Sequence, residues 1–134
     1  MGHLQAIAPD QSHLDLLRSV CAVNPYGALE DAHELTSGCD WFAYRSNGQA
    51  ALVALHFGKK THGMRCNVNA VQTLNPHQPL QFAQIMTAIE HHAKTAGADI
   101  LTLSTQHPAI AKSAHRWGGQ ITGVVLSKPL GCMA

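Results

Sequence analysis

The chain has little of what usually announces a function. Aromatic residues make up 5% and charged residues 13% of its 134 positions, so neither a stacked-aromatic nucleic-acid platform nor a long charged tract is available. Net charge is +1 and the nine lysines and arginines are scattered. That pattern gives no basic face of the kind that follows a phosphate backbone or an anionic bilayer. No apolar run reaches the ~18–20 residues of a membrane span. The opening Met1-Gly-His-Leu-Gln-Ala lacks a basic segment followed by an apolar one, so no secretory leader is read from it. These absences lead to the expectation of a cytoplasmic protein with neither nucleic acid nor membrane among its partners.

Motifs for covalent and metal chemistry are also missing. Cys21, Cys39, Cys66 and Cys132 stand far apart with no CxxC pair. They read as small core residues, Cys132 in a tail, rather than as metal ligands or disulfide partners. Ten histidines occur without HxxxH or HxxEH spacing, and His91 and His92 are helix neighbours that diverge by about 100°. His56, His62, His77 and His115 remain as a set that could line a cleft, and no metal is expected. There is no Gly-x-Ser-x-Gly elbow, and no activator for Cys66 can be read from the sequence.

What is present is enough apolar residue, 46%, for one domain with a core of small aliphatics. The organising stretch is Met64–Thr105. It predicts a strand (Met64–Thr73), a loop (Leu74–Pro79), an amphipathic helix (Leu80–Ala96) and a second strand (Ala98–Thr105). In the helix, Phe82, Ile85, Met86, Ile89, Ala93 and Ala96 fall at three- and four-residue steps, one apolar stripe. Pro79 suits a first helical position and Gly97 a left-handed residue after the last turn. Strand, crossover helix and strand of this length make a right-handed parallel unit.

Around that unit, His3–Ala8 predicts an edge strand, and Asp10 or Ser12 caps a helix through about Val23, with Leu14, Leu17, Val20 and Cys21 inward. Asn24-Pro25-Tyr26-Gly27 reads as a turn, and Ala28–Thr36 as a short helix, acidic through Glu30, Asp31 and Glu34, which ends at Ser37-Gly38. Asp40–Arg45 and Ala50–Phe57 are strands joined by a hairpin at Ser46-Asn47-Gly48. Gly58–Gly63 reads as a longer polar turn. Pro108 opens another helix with Ile110, Ala111, Ala114 and Trp117 inward, closed by Gly118-Gly119. Gln120–Leu130 is the last strand. The expected fold is therefore α/β (α+β), with about six strands in a mixed, partly splayed sheet and about four helices, in the order β-α-α-β-β-β-α-β-α-β.

This order, with the residues from Ile85 to Lys128, resembles the GNAT acetyltransferase superfamily. That family typically shows an Arg/Gln-x-x-Gly-x-Gly/Ala loop, then a helix with a Leu-Leu pair, an Ala, and a Gly before the next strand. Counting back from Gly97, Ala93 falls on the family Ala and Ile85-Met86 on the Leu-Leu pair. Ala111–Lys128 is similar to the family's closing helix, Gly and final strand. The same count puts His77-Gln78-Pro79-Leu80-Gln81-Phe82 where the family has its phosphate-cradling loop, with Leu80 and Phe82 at the glycine positions. Pro79 removes one donor, while the helix N-terminus still favours an anion. Where the family commonly carries a Tyr four residues before the closing Gly, this chain has Ala114. His115 is adjacent but turned about 100° around the helix.

The resemblance implies acetyl-CoA as substrate and an amine, on a small molecule or a protein, as acceptor; it leaves a homodimer open. Backbone groups near Ala70, Val71 and Gln72 and near Ser104 and Thr105 would hold the pantetheine. His77, Gln78, Leu80 and Gln81 would meet the pyrophosphate. On the strand from Met64, period two places Arg65, Asn67, Asn69 and Val71 on one face and Met64, Cys66, Val68 and Ala70 on the other. Asn67 and Asn69 on a central strand, with His115, are the candidate catalytic groups. The asparagines also suit a purely structural role, bonded to neighbouring loops, and Glu30, Asp31 and Glu34 suit either amine selection or a solvated helix face. Two functions stand: direct acetyl transfer to an amine, or a GNAT-like domain that serves as a binding or assembly module.

Overall fold

Three successive stretches rich in Val, Leu, Ala and Phe build the sheet on which everything else is placed. The computed structural model describes residues 2–16, 36–46, 49–74, 81–103, 108–121 and 128. Strand β1 (His3–Ala6) is followed by helix α1 (Gln11–Leu16), then β2 (Asp40–Ser46), β3 (Gln49–Lys60) and β4 (Gly63–Thr73). Helix α2 (Phe82–Thr95), β5 (Ile100–Leu103) and helix α3 (Pro108–Trp117) complete the described elements. The sheet order is β1-β2-β3-β4-β5. Neighbours are antiparallel up to β4, and β4 pairs parallel with β5, as a strand-helix-strand crossover requires.

Two clusters sandwich the sheet. On one face Phe42, Tyr44, Val53, Leu55, Cys66 and Val68 meet Ile85, Met86, Ile89 and Ala93 of α2, with Trp117 of α3 against them. On the other, Trp41, Leu52, Ala54 and Ala70 are joined by Ile7 and by Leu14 of α1. Full burial of an aliphatic side chain contributes about 1.5–3 kcal/mol, so the α2 stripe is a main tie between helix and sheet. His92 leaves that stripe at an angle and sets its ring edge-on to Phe42, centroids 4.5 Å apart, while His91 is exposed.

Both long-range helices end the same way. Gly97 (φ 94°) follows α2 and Gly118 (φ 116°) follows α3, each in the left-handed region that a Cβ disfavours. Gly97 N–H donates to Lys94 O and Ala98 N–H to Ala93 O. Gly118 N–H donates to His115 O and Gly119 N–H to Ala114 O. The paired reverse bonds satisfy the last carbonyls and turn the chain sharply. At its start α1 is capped by Asp10, whose carboxylate accepts from His13 N–H (3.1 Å) and from Ser12 Oγ (2.6 Å). Those two bonds hold the Asp10 carboxyl below its usual 3.8.

Several boundaries differ from the sequence reading. Helix α2 starts at Phe82 with Gln81 as N-cap and Ala96 as its exposed C-cap; Pro79 and Leu80, expected at its start, lie outside the described residues. Strand β3 runs on to Lys60 and β4 begins at Gly63. The expected long turn shrinks to Thr61-His62, because strand pairing continues through Lys60↔Gly63 despite the polar side chains. Strand β1 stops at Ala6, and β5 spans Ile100–Leu103, with Ala98 and Asp99 used in the turn before it. Ala111 is exposed; the inward residues of α3 are on the side of Ile110, Ala114 and Trp117. Gln120 and Ile121 are exposed and outside any strand. Among the described residues there are five strands and three helices. The predicted second helix with Glu30, Asp31 and Glu34, the Asn24–Gly27 turn, Asn47-Gly48 and the rest of the last strand lie outside them. No helix among the described residues is long and apolar enough to cross a membrane.

Candidate functional site

The site is built on β4, between its pairing with β5 and its bulge against β3. The pairing with β5 begins with a two-bond clamp: Asp99 N–H donates to Met64 O, and Met64 N–H donates to Asp99 Oδ2, both at 2.8 Å. Gly63 precedes the clamp because a Cβ there would collide with the Asp99 carboxylate. The ladder then runs from Arg65↔Ile100 to Val68↔Leu103. Immediately beyond, the register between β3 and β4 slips: Leu55 pairs with Val68 but Ala54 with Ala70. Asn69 is the extra residue of a β-bulge, which bends the strand and increases its twist. The described part of the β4–β5 ladder ends at Val68↔Leu103, level with the bulge.

The bulge resets the faces of β4. Cys66 and Val68 belong to the α2-side cluster, and so does Val71, whereas Ala70 joins Trp41 and Leu52 on the opposite side. Strict period-two alternation had paired Ala70 with Val68 and Val71 with Asn67. Both assignments are corrected, because one inserted residue inverts the alternation after it. The backbone of Ala70, Val71 and Gln72 pairs with β3 through Ala54, Val53 and Leu52.

Before the bulge, the face away from α2 is polar. Asn67 Nδ2 donates to Asn69 Oδ1 and Thr102 Oγ1 donates to Asn67 Oδ1, both at 2.7 Å. The two asparagines are thus tied to each other and to β5, which fixes their rotamers. His56 stands directly across from Asn67, and Gly58 across from Arg65. The Nε of Arg65 is buried with no hydrogen-bond partner.

Helix α2 begins at the same end of the sheet. A parallel crossover forces it to run back against β4, so its N-terminus lies by the C-terminal ends of the two strands, where ligands of open α/β sheets sit. Gln81 makes no side-chain bond to the first turn, so the N–H groups there are not used by a cap. Phe82, at a family glycine position, is half-buried against the α2-side cluster and turned into the core. His77, Gln78, Leu80, Ser104 and Thr105 lie outside the described residues.

Other candidates are placed apart from this end. His115 is exposed on α3, about 200° around the helix from the inward Trp117, while Asn67 points to the other face of the sheet. The structure does not bring His115 together with Asn67 and Asn69. Burial first, then the Asp40 carboxylate, pushes the thiols of Cys39 and Cys66 up to about 11, which removes them as nucleophiles near neutrality. Among the described residues no three His, Cys, Asp or Glu side chains converge as metal ligands do.

Sequence reasoning missed the bulge, the Asp99 clamp and the unpartnered Arg65. The first had a signal: Val68 and Val71 are three apart in a strand, a phase slip that small, ambiguous Ala70 conceals. The clamp had none, since an Asp before a strand reads as a turn residue.

No protein-family model matches the chain, and no curated protein matches it. Two solved structures are similar along nearly their whole length. A transcriptional regulator from Bacillus halodurans aligns with TM-score 0.61 at 15% identity, covering 94% of this chain and 99% of its own. An acetyltransferase of Trypanosoma brucei aligns with TM-score 0.60 at 15% identity, covering 97% of this chain and all of its own. At that identity the likeness carries the fold alone, and the fold is GNAT-like: a mixed α+β architecture around one mixed sheet, five-stranded among the described residues.

Proposed function

We propose that this chain transfers an acetyl group from acetyl-CoA directly to an amine. The observation that carries this reading is the coincidence, at one end of the sheet, of the Asn69 bulge in β4 and the start of α2, where Gln81 provides no side-chain cap. A splayed sheet of the kind the resembled family has would accept an extended chain with amide groups, such as pantetheine, by adding hydrogen bonds to open backbone. Here the backbone near Ala70, Val71 and Gln72 would supply one side, and Ser104 and Thr105 the other. The uncapped first turn of α2 at Gln81, with His77, Gln78 and Leu80, would meet the pyrophosphate.

Cys39 and Cys66, protonated near neutrality, are given no part in carrying the acetyl group; in the proposed reaction the amine nitrogen attacks the thioester carbonyl carbon itself. The C–N bond forms, the C–S bond breaks, the nitrogen gives up a proton and the CoA thiolate leaves. The chain contributes orientation and stabilisation of the oxyanion; Asn67 and Asn69, held by mutual bonds, flank the place where the thioester would lie.

The test is calorimetry and thermal melting with millimolar acetyl-CoA on the wild type and on His77→Glu. A ligand at a hundredfold excess over Kd stabilises the fold by about 2.7 kcal/mol, which is a melting shift of several degrees for a domain of this size. Binding that weakens in His77→Glu supports the transferase. No heat and no shift would favour a second reading, a GNAT-like binding or assembly module. That alternative is favoured by Ala114, a half-buried methyl group where the resembled family has its proton-donating Tyr.

A further inference from the structure

The polar face of β4 holds a cation with no carboxylate partner among the described residues. Arg65 is half-buried and its Nε is sheltered from solvent without an acceptor. A buried N–H of this kind is costly unless an acceptor joins it. The neighbouring positions leave room for one. Gly58 is the residue directly across from Arg65 on β3, so no side chain rises opposite the guanidinium. A Cβ built at Gly58 would lie 3.7 Å from His56 Cε1, which places the imidazole at the rim of the same gap. His56 shares the face of Arg65, because its pair Asn67 is two residues along β4, and it makes no hydrogen bond among the described residues. Ile100, across from Arg65 on β5, is 54% exposed and supplies an apolar wall.

We infer that Arg65, His56 and the gap over Gly58 form a carboxylate-binding subsite, and that the amine acceptor is an anionic one, an amino-carboxylate compound. This rests on the transferase reading for its placement. Arg65 and the bulge at Asn69 are four residues apart on one strand, about 13 Å at the usual rise. The Arg65 side chain can lean along the strand and shorten that span. The acceptor should therefore carry its carboxylate well away from its amine, as an ω-amino acid or a short peptide does and an α-amino acid does not. Guanidinium recognises a carboxylate with two parallel N–H bonds, and imidazole adds one N–H donor in either protonation state. Polyamines, with a second cation at that position, would be repelled.

Two measurements test this, the first of them separately from acetyl transfer. In the first, hexanoate, a carboxylate without an amine, is titrated into CoA-free protein while the side-chain resonances of Arg65 and His56 are followed by NMR. Saturable shifts at both residues, lost in Arg65→Gln and weakened by the bulk of Gly58→Leu, are expected; hexylammonium chloride should leave them unmoved. In the second, acetyl transfer to 6-aminohexanoate is compared with transfer to 1,6-diaminohexane and hexylamine. A preference for 6-aminohexanoate of about tenfold or more in kcat/KM is expected from a charge-assisted pair, and Arg65→Lys should reduce it. Hexanoate binding without any acetyl transfer would keep the subsite and sink the transferase. Turnover of all three amines at similar rates, with no hexanoate shifts in the wild type, would overturn the subsite. The wild-type comparisons need no variant, so a misfolded Arg65 mutant leaves the outcome decidable.

Discussion

Deleting Asn69 should remove the bulge and leave the fold standing. In an ordinary strand, deleting one residue turns every later side chain to the wrong face. At a bulge the arithmetic is reversed. Val68 faces α2, Ala70 faces the opposite cluster and Val71 faces α2 again, so without Asn69 the three simply alternate. The losses are the Asn67–Asn69 hydrogen bond, worth about 0.5–1.5 kcal/mol, and whatever else Asn69 bonds to. A regular β3–β4 ladder offsets part of that. The expected net change is within about 2 kcal/mol in urea unfolding, or roughly 5–8 °C in Tm for a domain between the sizes usually tabulated. Under the proposed function the bulge shapes the pantetheine site, so any acetyl-CoA-induced melting shift should vanish with it. Cross-strand amide contacts by NMR would check the register. A loss above about 4 kcal/mol would refute the reasoning. It would mean that Val71 and Ala70 had exchanged faces and that β4 carries no bulge there.

Four further outcomes follow from the same coordinates. Ile89→Ala removes a side chain with no exposure and should cost about 2–5 kcal/mol in denaturant unfolding, while Ile100→Ala, 54% exposed, should cost under about 1 kcal/mol; equal costs would show that the faces are misassigned. The Cys39 and Cys66 thiols sit at about 11 against 9.0 when free, so their contribution to stability is complete below pH 9 and is lost as pH rises through about 11. Replacing both by Ala should flatten that alkaline decline, and peptide mapping of native protein at pH 8 should find both about 100-fold slower to alkylate than in urea. Asp10, held below 3.8, stabilises α1 above that pH and ceases to as pH falls through its lowered value, so wild type and Asp10→Asn should differ in helix content near neutrality and converge in strong acid. Gly63→Ala should displace the Asp99 carboxylate from Met64 N–H and cost about 1–3 kcal/mol, seen as faster amide exchange at Met64.

The sequence was most legible where one residue type has one use. Asn47-Gly48 announced the β2–β3 hairpin that Ser46↔Gln49 closes, and Gly97 and Gly118 marked helix ends that their positive φ confirms. The α2 stripe was read correctly at Ile85, Met86, Ile89 and Ala93, since burial on one side imposes the helical period. Errors fell where backbone pairing overrode side-chain character. Lys59 and Lys60 are polar yet extend β3, because an exposed ladder position tolerates lysine. Asp99 caps a strand start through a contact 35 residues away along the chain, which no local pattern encodes. The candidate site was half legible. Asn67 and Asn69 stood out as amides in a central strand. The bulge that gives them their place did not, because Ala70 fits either face.

The clamp and the bulge together set the register of the candidate site. Met64 and Asp99 fix where β5 begins against β4, and Asn69 fixes where the faces of β4 invert. The described ladder from Arg65 to Val68 lies between them, and a one-residue slip at the clamp would move β5 relative to the bulge. Thr102 reinforces that register by donating to Asn67 from the neighbouring strand. The same four residues carry the apolar pair Cys66 and Val68 toward α2 and the polar pair Arg65 and Asn67 away from it. Strand alternation thus joins the core that stabilises the sheet to the face that would receive an acceptor. Under the proposed function, a substitution at Gly63, remote from the bulge, should therefore weaken acetyl-CoA binding as well as stability, because it acts on the register between β4 and β5.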